Sequence, residues 1–324
     1  MRGLSQAALV FGVVLSLALM GAVPSAQAQR YPSKAIEIVV SYGAGGSTDL
    51  IARAIAQRLQ DRLGQSVVVL NKPGASGTIG ATQVARASPD GHTLYAGFTT
   101  EMAVVPQLSK SAKYTLDDFE PIAVTGIVPV VLIASKNVKA NSVPELLSEL
   151  KGAPGKYTYG GSLGSPSHIL GAWLNRIQNL SVTHIPYRGG AQAVGDVTGG
   201  HIDLFYGGVS AAKGAIDAGL VKAIGLVGDV RSSALPNVPT FKEAGVSDFD
   251  LDSWTVLLGP KGMPANVVEL LQRETALALA DPQVRASLGA QGVEPSQTQD
   301  VRAFLARERV KFGRVVRELA IAMD

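Results

Sequence analysis

The sequence predicts an α/β fold of two lobes, each a doubly wound sheet, joined by chain segments that cross between them. Three observations carry this. Short β-branched segments alternate with amphipathic helical segments along most of the chain. Two glycine-rich strand-to-helix loops stand at equivalent places, one in each half. The last third turns helical after one further strand, which lets the end of the chain return to the first lobe. Two sequential α/β domains fit the same alternation.

The elements run as follows. Residues 1–28 read as a secretory signal peptide. Arg2 gives the positive start, residues 7–23 are apolar, and Pro24 and Ser25 lead to Ala26-Gln27-Ala28, a small-x-small cleavage site. The alternative is an uncleaved anchor, for which the apolar run is at the lower limit of length. Residues 35–41 (AIEIVVS) form a buried strand. Residues 50–63 form a helix with Ile51, Ile55, Leu59 and Leu63 on one face, stopped by Gly64. Residues 67–70 are a strand, 80–87 a helix, 94–98 a strand and 128–134 a strongly apolar strand. Ser142-Val-Pro-Glu145 is a capping box with proline in the first turn, so a helix starts there. Residues 157–159 are a strand, and 167–178 a helix with Ile169, Leu170, Trp173, Leu174 and Ile177 on one face. Strand and helix keep alternating over 182–186, 191–197, 202–206, 211–218 and 221–227. Residues 253–258 are the last strand of the pattern. Helices follow at 264–279, 282–288 (capped by Asp281, with Pro282 at its first position) and 298–320. Crossings near 123–130 and 250–254 divide the chain into lobe one, 29–124 plus 251–324, and lobe two, 125–250.

Composition narrows the chemistry. The 324-residue chain has no cysteine, which excludes disulfides, thiol catalysis, cysteine-bound zinc, iron–sulfur clusters and a lipid-modified N-terminal cysteine. A 46% hydrophobic content argues for packed cores. The net charge is only +3, with no long basic run, so no nucleic-acid partner is expected. The four histidines, His92, His168, His184 and His201, include no i,i+4 pair, so no metal is expected, and no cofactor motif is present. With the signal removed, the near-neutral chain has no long-range pull on anions, so an anion site has to be local.

Three loops supply candidates for such a site. The first is Tyr42-Gly43-Ala44-Gly45-Gly46-Ser47-Thr48-Asp49, the second Asn71-Lys72-Pro73-Gly74-Ala75-Ser76-Gly77-Thr78, and the third Gly160-Gly161-Ser162-Leu163-Gly164-Ser165-Pro166-Ser167-His168. In the first and third a strand ends, glycines allow close approach, and hydroxyl residues open a helix. Free amides and the helix dipole at that point hold a carboxylate or phosphate without Lys or Arg. Two such turns, one per lobe, grip both ends of a small anion at the carboxyl ends of the strands. The plainer reading is that the glycines only make turns and the hydroxyls only cap helices. Asp49 competes with an anion for the same dipole, so it caps or orients its own loop. Thr99, Thr100 and Glu101 follow a strand of lobe one. Tyr187-Arg188-Gly189-Gly190 sits at another strand-to-helix junction, and Tyr206-Gly207-Gly208 ends a strand of lobe two. Trp254, at a crossing, is assigned to packing.

Neither a complete dinucleotide fingerprint nor a P-loop is present. Gly160-Gly161-Ser162-Leu163-Gly164 does match the G-x-S-x-G of a nucleophile elbow. A serine hydrolase would then pair Ser162 with an acid such as Asp203 or Asp229 and a later histidine. The last histidine, His201, precedes both acids.

Beyond these readings the chain resembles the periplasmic solute-binding receptors of tripartite tricarboxylate transporters, the Bug receptors. The resemblance rests on the order and spacing of several segments: Tyr31-Pro32-Ser33-Lys34, Gly45-Gly46-Ser47-Thr48-Asp49, Leu63-Gly64-Gln65, Asn71-Lys72-Pro73-Gly74-Ala75, Ser88-Pro89-Asp90-Gly91-His92-Thr93-Leu94, Pro186-Tyr187-Arg188-Gly189-Gly190, Leu235-Pro236-Asn237-Val238-Pro239-Thr240 and Glu243-Ala244-Gly245. It implies a bilobed type II periplasmic binding protein fold that closes on its ligand and acts in the periplasm as a monomer without enzymatic activity. It also implies an organic carboxylate as ligand, di- or aromatic, often held through bridging waters, and membrane transporter subunits as partners. The same receptor serving a signalling partner is the alternative. Carried over, Gly45, Gly46, Ser47 and Thr48, beside Tyr42, hold one carboxylate. Gly161, Ser162, Ser165 and His168 hold the other end. The loop of Thr99, Thr100 and Glu101 contributes specificity; Tyr187, and Tyr206 with Gly207 closing the cleft wall, are candidates from their own placement and not from the resemblance. The family often has an aspartate and an asparagine where Tyr206-Gly207-Gly208 stands here, a change that widens the pocket for an aromatic acid. Glu101 is an unusual acid beside an anion site.

Overall fold

The structure, a computed structural model, describes residues 31–109, 112–187, 189–229 and 231–320. The signal segment read at residues 1–28 and Arg188 lie outside them. The compact unit that carries the site begins at Lys34.

In chain order the strands are β1 (Ile36–Val40), β2 (Val67–Asn71), β3 (Thr93–Phe98), β4 (Phe119–Val128), β5 (Val130–Ala134), β6 (Thr158–Gly161), β7 (Thr183–Pro186), β8 (Leu204–Gly208), β9 (Lys222–Leu226), β10 (Ser253–Pro260) and β11 (Glu294–Pro295). The helices are α1 (Ser47–Leu63), α2 (Thr78–Ala85), α3 (Val105–Leu108), α4 (Val143–Gly152), α5 (Pro166–Gln178), α6 (Gly190–Gly199), α7 (Val209–Asp217), α8 (Ala265–Ala280), α9 (Pro282–Ala290) and α10 (Val301–Leu319). No helix among the described residues is long and apolar enough to cross a membrane.

Two sheets result. One has the order β11-β4-β10-β3-β1-β2 and the other β7-β6-β8-β5-β9. The chain leaves the first at Val128, enters the second at Val130, and comes back to the first at Ser253. The mainly parallel sheets expected from the alternation are in fact mixed. β1 pairs parallel with β2 and β3, and β6 with β7 and β8. β10 runs antiparallel to β3 and β4, and β5 antiparallel to β8 and β9. The exceptions have a cause. β5 and β10 each arrive from the other sheet, so no βαβ crossover fixes their direction.

Helix α1 shows how the sequence builds these layers. Ile51, Ile55 and Leu59 are buried along one face, each burial contributing about 1.5–3 kcal/mol. Gly64 ends the helix in the left-handed region at φ 68°, where a side chain is disfavoured. The last helix, α10, buries Leu305, Phe312, Val315 and Val316. It also packs Phe304 edge-on against the fully buried Trp254, with ring centroids 5.5 Å apart. The Trp254 indole N–H donates to Glu308 Oε2 at 3.0 Å, and its backbone N–H donates to Thr99 Oγ1 at 2.7 Å. The tryptophan therefore locks β10, the end of β3 and α10 together.

Strand β4 is absent from the sequence reading, which placed only a crossing there. Its segment contains Pro121 and Gly126, both of which weaken a strand reading. Both positions have a local explanation. β4 shifts register against β10 beside Pro121. A Cβ on Gly126 would come 3.0 Å from Ile51 Cδ1 and 3.2 Å from the Glu294 carbonyl, because β11 approaches closely there.

Candidate functional site

The first loop joins β1 to α1. Gly45 adopts φ 88°, and Gly46 caps the helix with no side-chain acceptor. The first-turn amides of α1 thus have neither an intrahelical nor a capping partner. Asp49 turns back to its own loop. Its Oδ2 accepts the Gly45 N–H at 2.9 Å and Arg53 Nε at 2.9 Å, and its Oδ1 accepts Asn71 Nδ2 at 2.8 Å. Burial alone would raise this carboxyl, but those donors outweigh it and hold it below the ordinary carboxylate range.

The third loop joins β6 to α5. Gly164 takes φ 72°, and Ser165 caps the helix by accepting the His168 N–H at 3.4 Å. Pro166 occupies the first helical position, where a proline costs nothing. His168 Nδ1 accepts the Gly164 N–H at 3.1 Å, so the side chain clamps the turn from beneath. Its ring lies 4.2 Å from that of His184, whose Nε2 meets the Gly161 carbonyl at 2.9 Å. Burial pushes His168 down to about 4, which keeps Nδ1 an acceptor at neutral pH.

Both loops reach one cavity of about 490 Å³. Of the expected site residues, Tyr42, Thr100, Ser162 and Ser165 line it. Ser41, Pro73, Gly74, Ser76, Gly77, Phe98, Gly189 and Gly190 line it too, as do Gly43, Leu163, Gly164 and Pro166. Among the described residues, no lysine or arginine lines it. The second glycine-rich loop, a candidate to which the sequence assigned no ligand role, therefore contributes wall. Four consecutive residues with positive φ, Gly74 (134°), Ala75 (46°), Ser76 (51°) and Gly77 (91°), fold it against the cavity.

The remaining expected residues stand elsewhere. Gly45 and Gly46 are exposed on the loop beyond the cavity wall, and Thr48 is buried under it. Ser47 Oγ faces Ser210 Oγ of α7, 3.4 Å away. Thr99 is fully buried, and its hydroxyl donates to the Trp254 carbonyl at 3.1 Å. Glu101 is buried behind the wall, not in it. Gly161 is buried, its carbonyl accepting the Tyr187 N–H at 3.0 Å. Tyr187 sends its hydroxyl to Asp196 Oδ2 at 2.6 Å and lays its ring beside Gly160. Tyr206 is buried edge-on against Tyr159 and Phe249, and its carbonyl accepts Ser167 Oγ at 2.6 Å. Gly207 is buried against the Phe205 ring.

The groups that would serve a nucleophile at Ser162 are engaged in these contacts. His168 Nδ1 holds Gly164, and His184 Nε2 holds Gly161. Asp203 Oδ2 accepts the Thr158 N–H at 2.8 Å and its hydroxyl at 3.0 Å, while Asp229 pairs with Lys242 at 2.7 Å. Among the described residues, no group of three or more His, Asp or Glu side chains is placed to hold a metal ion.

The chain is similar to known proteins over most of its length. A family model described as tripartite tricarboxylate transporter family receptor matches residues 51–321. Protein BugT of Bordetella pertussis is 33% identical over 314 residues, covering 95% of this chain and 96% of BugT. The solved structure of R. palustris Rpa4515 with adipate has a TM-score of 0.80 at 31% identity, covering 90% of this chain and 99% of that one. MatC from Rhodopseudomonas palustris with bound malate has a TM-score of 0.75 at 30% identity, covering 88% of this chain and all of the other, 100%. The bilobed α/β architecture is that of periplasmic binding proteins. On the span of that family match and the near full-length identity to BugT, the chain belongs to the tripartite tricarboxylate transporter receptor family.

Proposed function

We propose that this protein is a periplasmic solute-binding receptor. It captures a small organic carboxylate, di- or aromatic, and delivers it to the membrane subunits of a tripartite transporter. The carrying observation is a cavity into which both strand-to-helix loops reach, lined by backbone amides, hydroxyls and rings and, among the described residues, by no lysine or arginine. Oriented amides at a helix N-terminus supply the partial positive charge that a cationic side chain would otherwise bring. We read the lobes as 29–124 with 251–324 against 125–250, bounds that fall within a few residues of the passages between the sheets at Val128–Val130 and before Ser253, and lobe closure brings the Gly45-Gly46-Ser47 turn toward the ligand. Adipate in Rpa4515 and malate in MatC supply the ligand class by analogy. The protein is exported by residues 1–28, works as a monomer, and performs no chemistry on its ligand.

Thermal denaturation of the mature protein against a panel of mono- and dicarboxylates tests this. A ligand that binds only the folded state, present at 100 times its Kd, adds about 2.7 kcal/mol of stability. At least one carboxylate is expected to raise Tm. A response to a sugar or a cation with none to any carboxylate refutes the reading.

A further inference from the structure

Three residues on one wall of the cavity, Tyr42, Gly77 and Phe98, share a hidden neighbour. Glu101 is 0% exposed, on a π-helical turn over Thr100–Val104. Its Oε2 accepts the Tyr42 hydroxyl at 2.6 Å, and its Oε1 accepts the Phe98 N–H at 2.6 Å and the Tyr95 hydroxyl at 3.0 Å. Its methylenes press on Gly77 so closely that a Cβ there would come within 3.0 Å of them. The Ser41 hydroxyl on this wall is engaged as well. Ser41 Oγ donates to the Gly77 carbonyl at 2.8 Å and lies 2.7 Å from the Tyr95 hydroxyl.

The polar ends of Ser41 and Tyr42 therefore point away from the cavity. Toward it the wall offers the rings of Tyr42 and Phe98, set edge to face with centroids 5.8 Å apart, and Pro73, with the hydroxyl residues Ser76 and Thr100 beside them. The opposite wall differs. There the turn carries the Ser162 and Leu163 backbone amides and the Ser162 hydroxyl, while the Gly164 N–H is held by His168 Nδ1 and the Ser165 N–H by the Ser162 carbonyl. A hydroxyl-bearing ligand body laid on these two rings gives up its water and finds no partner there. An aromatic body gains stacked or edge contacts instead.

We propose that Glu101 is a positioning residue: by holding the Tyr42 hydroxyl it makes this wall a ring-binding face, so that the ligand is an acid with an aromatic body and its carboxylate on the Ser162–Ser165 side. This rests on the carboxylate-receptor reading and narrows it.

Calorimetric titration of the mature protein with benzoate, terephthalate and malate decides the matter. The aromatic acid that binds best is expected to exceed malate in affinity by at least about 10-fold, the size of one well-matched apolar contact. Glu101→Ala, which releases the Tyr42 hydroxyl, brings the ratio toward one. Glu101→Gln still hydrogen-bonds Tyr42 and restores most of it. Damage to the fold alone would weaken all three acids together and leave the ratio unchanged. If Glu101→Ala does not fold, Tyr42→Leu serves: its aromatic affinity is expected to fall about 10-fold further than its malate affinity. Malate binding as tightly as both aromatic acids overturns the ligand class. An unchanged ratio in Glu101→Ala, or in Tyr42→Leu where the former does not fold, overturns the positioning role. A protein that binds none of these acids nor any other carboxylate overturns the receptor reading itself, a separate outcome because no ratio is then defined.

Discussion

Replacing Glu101 by glutamine changes how stability depends on pH, by an amount the structure sets. Burial of Glu101 with no cation beside it raises its carboxyl from the ordinary 4.5 to about 7, although four hydrogen-bond donors pull the other way. The folded protein thus holds this proton more firmly than the unfolded chain. The resulting stability is complete below pH 4.5 and is lost as the pH rises through about 7. At 1.36 kcal/mol per pH unit the loss is about 3 kcal/mol, or roughly 6 °C in Tm for a chain of this size. His168 acts in the opposite sense. Its folded value, lowered to about 4, costs stability as the pH falls from 6.5 toward 4, so the wild-type profile is flattened where the two overlap. Glutamine cannot titrate and keeps the bond to Tyr42. The assay is thermal denaturation of wild type and Glu101→Gln at matched salt between pH 4.5 and 8. The Tm of the variant relative to wild type is expected to rise by roughly 6 °C across that range. Asp252, also raised by burial, is present in both proteins and cancels. A difference that stays constant with pH would refute the assignment of a buried, proton-holding carboxyl behind Tyr42.

Other perturbations have equally definite outcomes. Gly171→Ala puts a methyl into the Tyr159 ring, which is itself packed against His184 and Tyr206, and overpacking of this kind costs about 1–3 kcal/mol in a urea melt; full wild-type stability would mean that the ring is free to move. Ser142→Ala removes the side chain that accepts the Glu145 N–H at 3.4 Å and is expected to cost about 1 kcal/mol, read in the same melt. Ligand affinity, measured at pH 7 and again near pH 4, should fall at the lower pH, because a protonated His168 can no longer accept the Gly164 N–H that shapes the turn; an unchanged Kd would separate that turn from the ligand. Gly46→Tyr is expected to lower the affinity for the best carboxylate at least 10-fold, the cost of about 1.4 kcal/mol for blocking one amide cradle, and an unaltered Kd would remove the first loop from the site.

The regular elements were legible because local chemistry dictates them. Ser142 accepts the Glu145 N–H, as a capping box requires, although Glu145 returns its bond to the Asn141 N–H. Asp281 caps α9 by accepting the amides of Gln283 and Val284. The apolar stripes of α1, α5 and α10 reported buried faces. Strand β4 was hidden because Pro121 and Gly126 are tolerated only through tertiary context, a register shift in one case and a close β11 in the other. The cavity was half legible. Glycines with hydroxyls at a strand-to-helix junction pointed to Tyr42, Ser162 and Ser165. Phe98 carries no comparable signal, and Pro73, Ser76 and Gly77 stood in a glycine-rich loop that lacks the strand-to-helix logic of the other two. Sequence places Thr99, Thr100 and Glu101 alike beside the ligand because they follow a strand of lobe one. Side-chain direction separates them: Thr100 faces the cavity while Glu101 turns inward to Tyr42 and Tyr95. Likewise Thr99 and Thr100, neighbours in sequence, divide between the Trp254 lock and the cavity wall.

The account rests on backbone amides, one set from each sheet, holding a small acid without a cationic side chain. A crystal structure of the protein with its tightest carboxylate tests this most directly. The carboxylate is predicted to lie within hydrogen-bond distance of the Ser162 and Leu163 amides, with the ligand body on Tyr42 and Phe98 and a second acid group, where the ligand has one, at the amides of the Tyr42–Ser47 loop. An acid gripped by lysine or arginine, or seated in the separate cleft of about 500 Å³ lined by Gln272, Arg273 and Gln297, would contradict it.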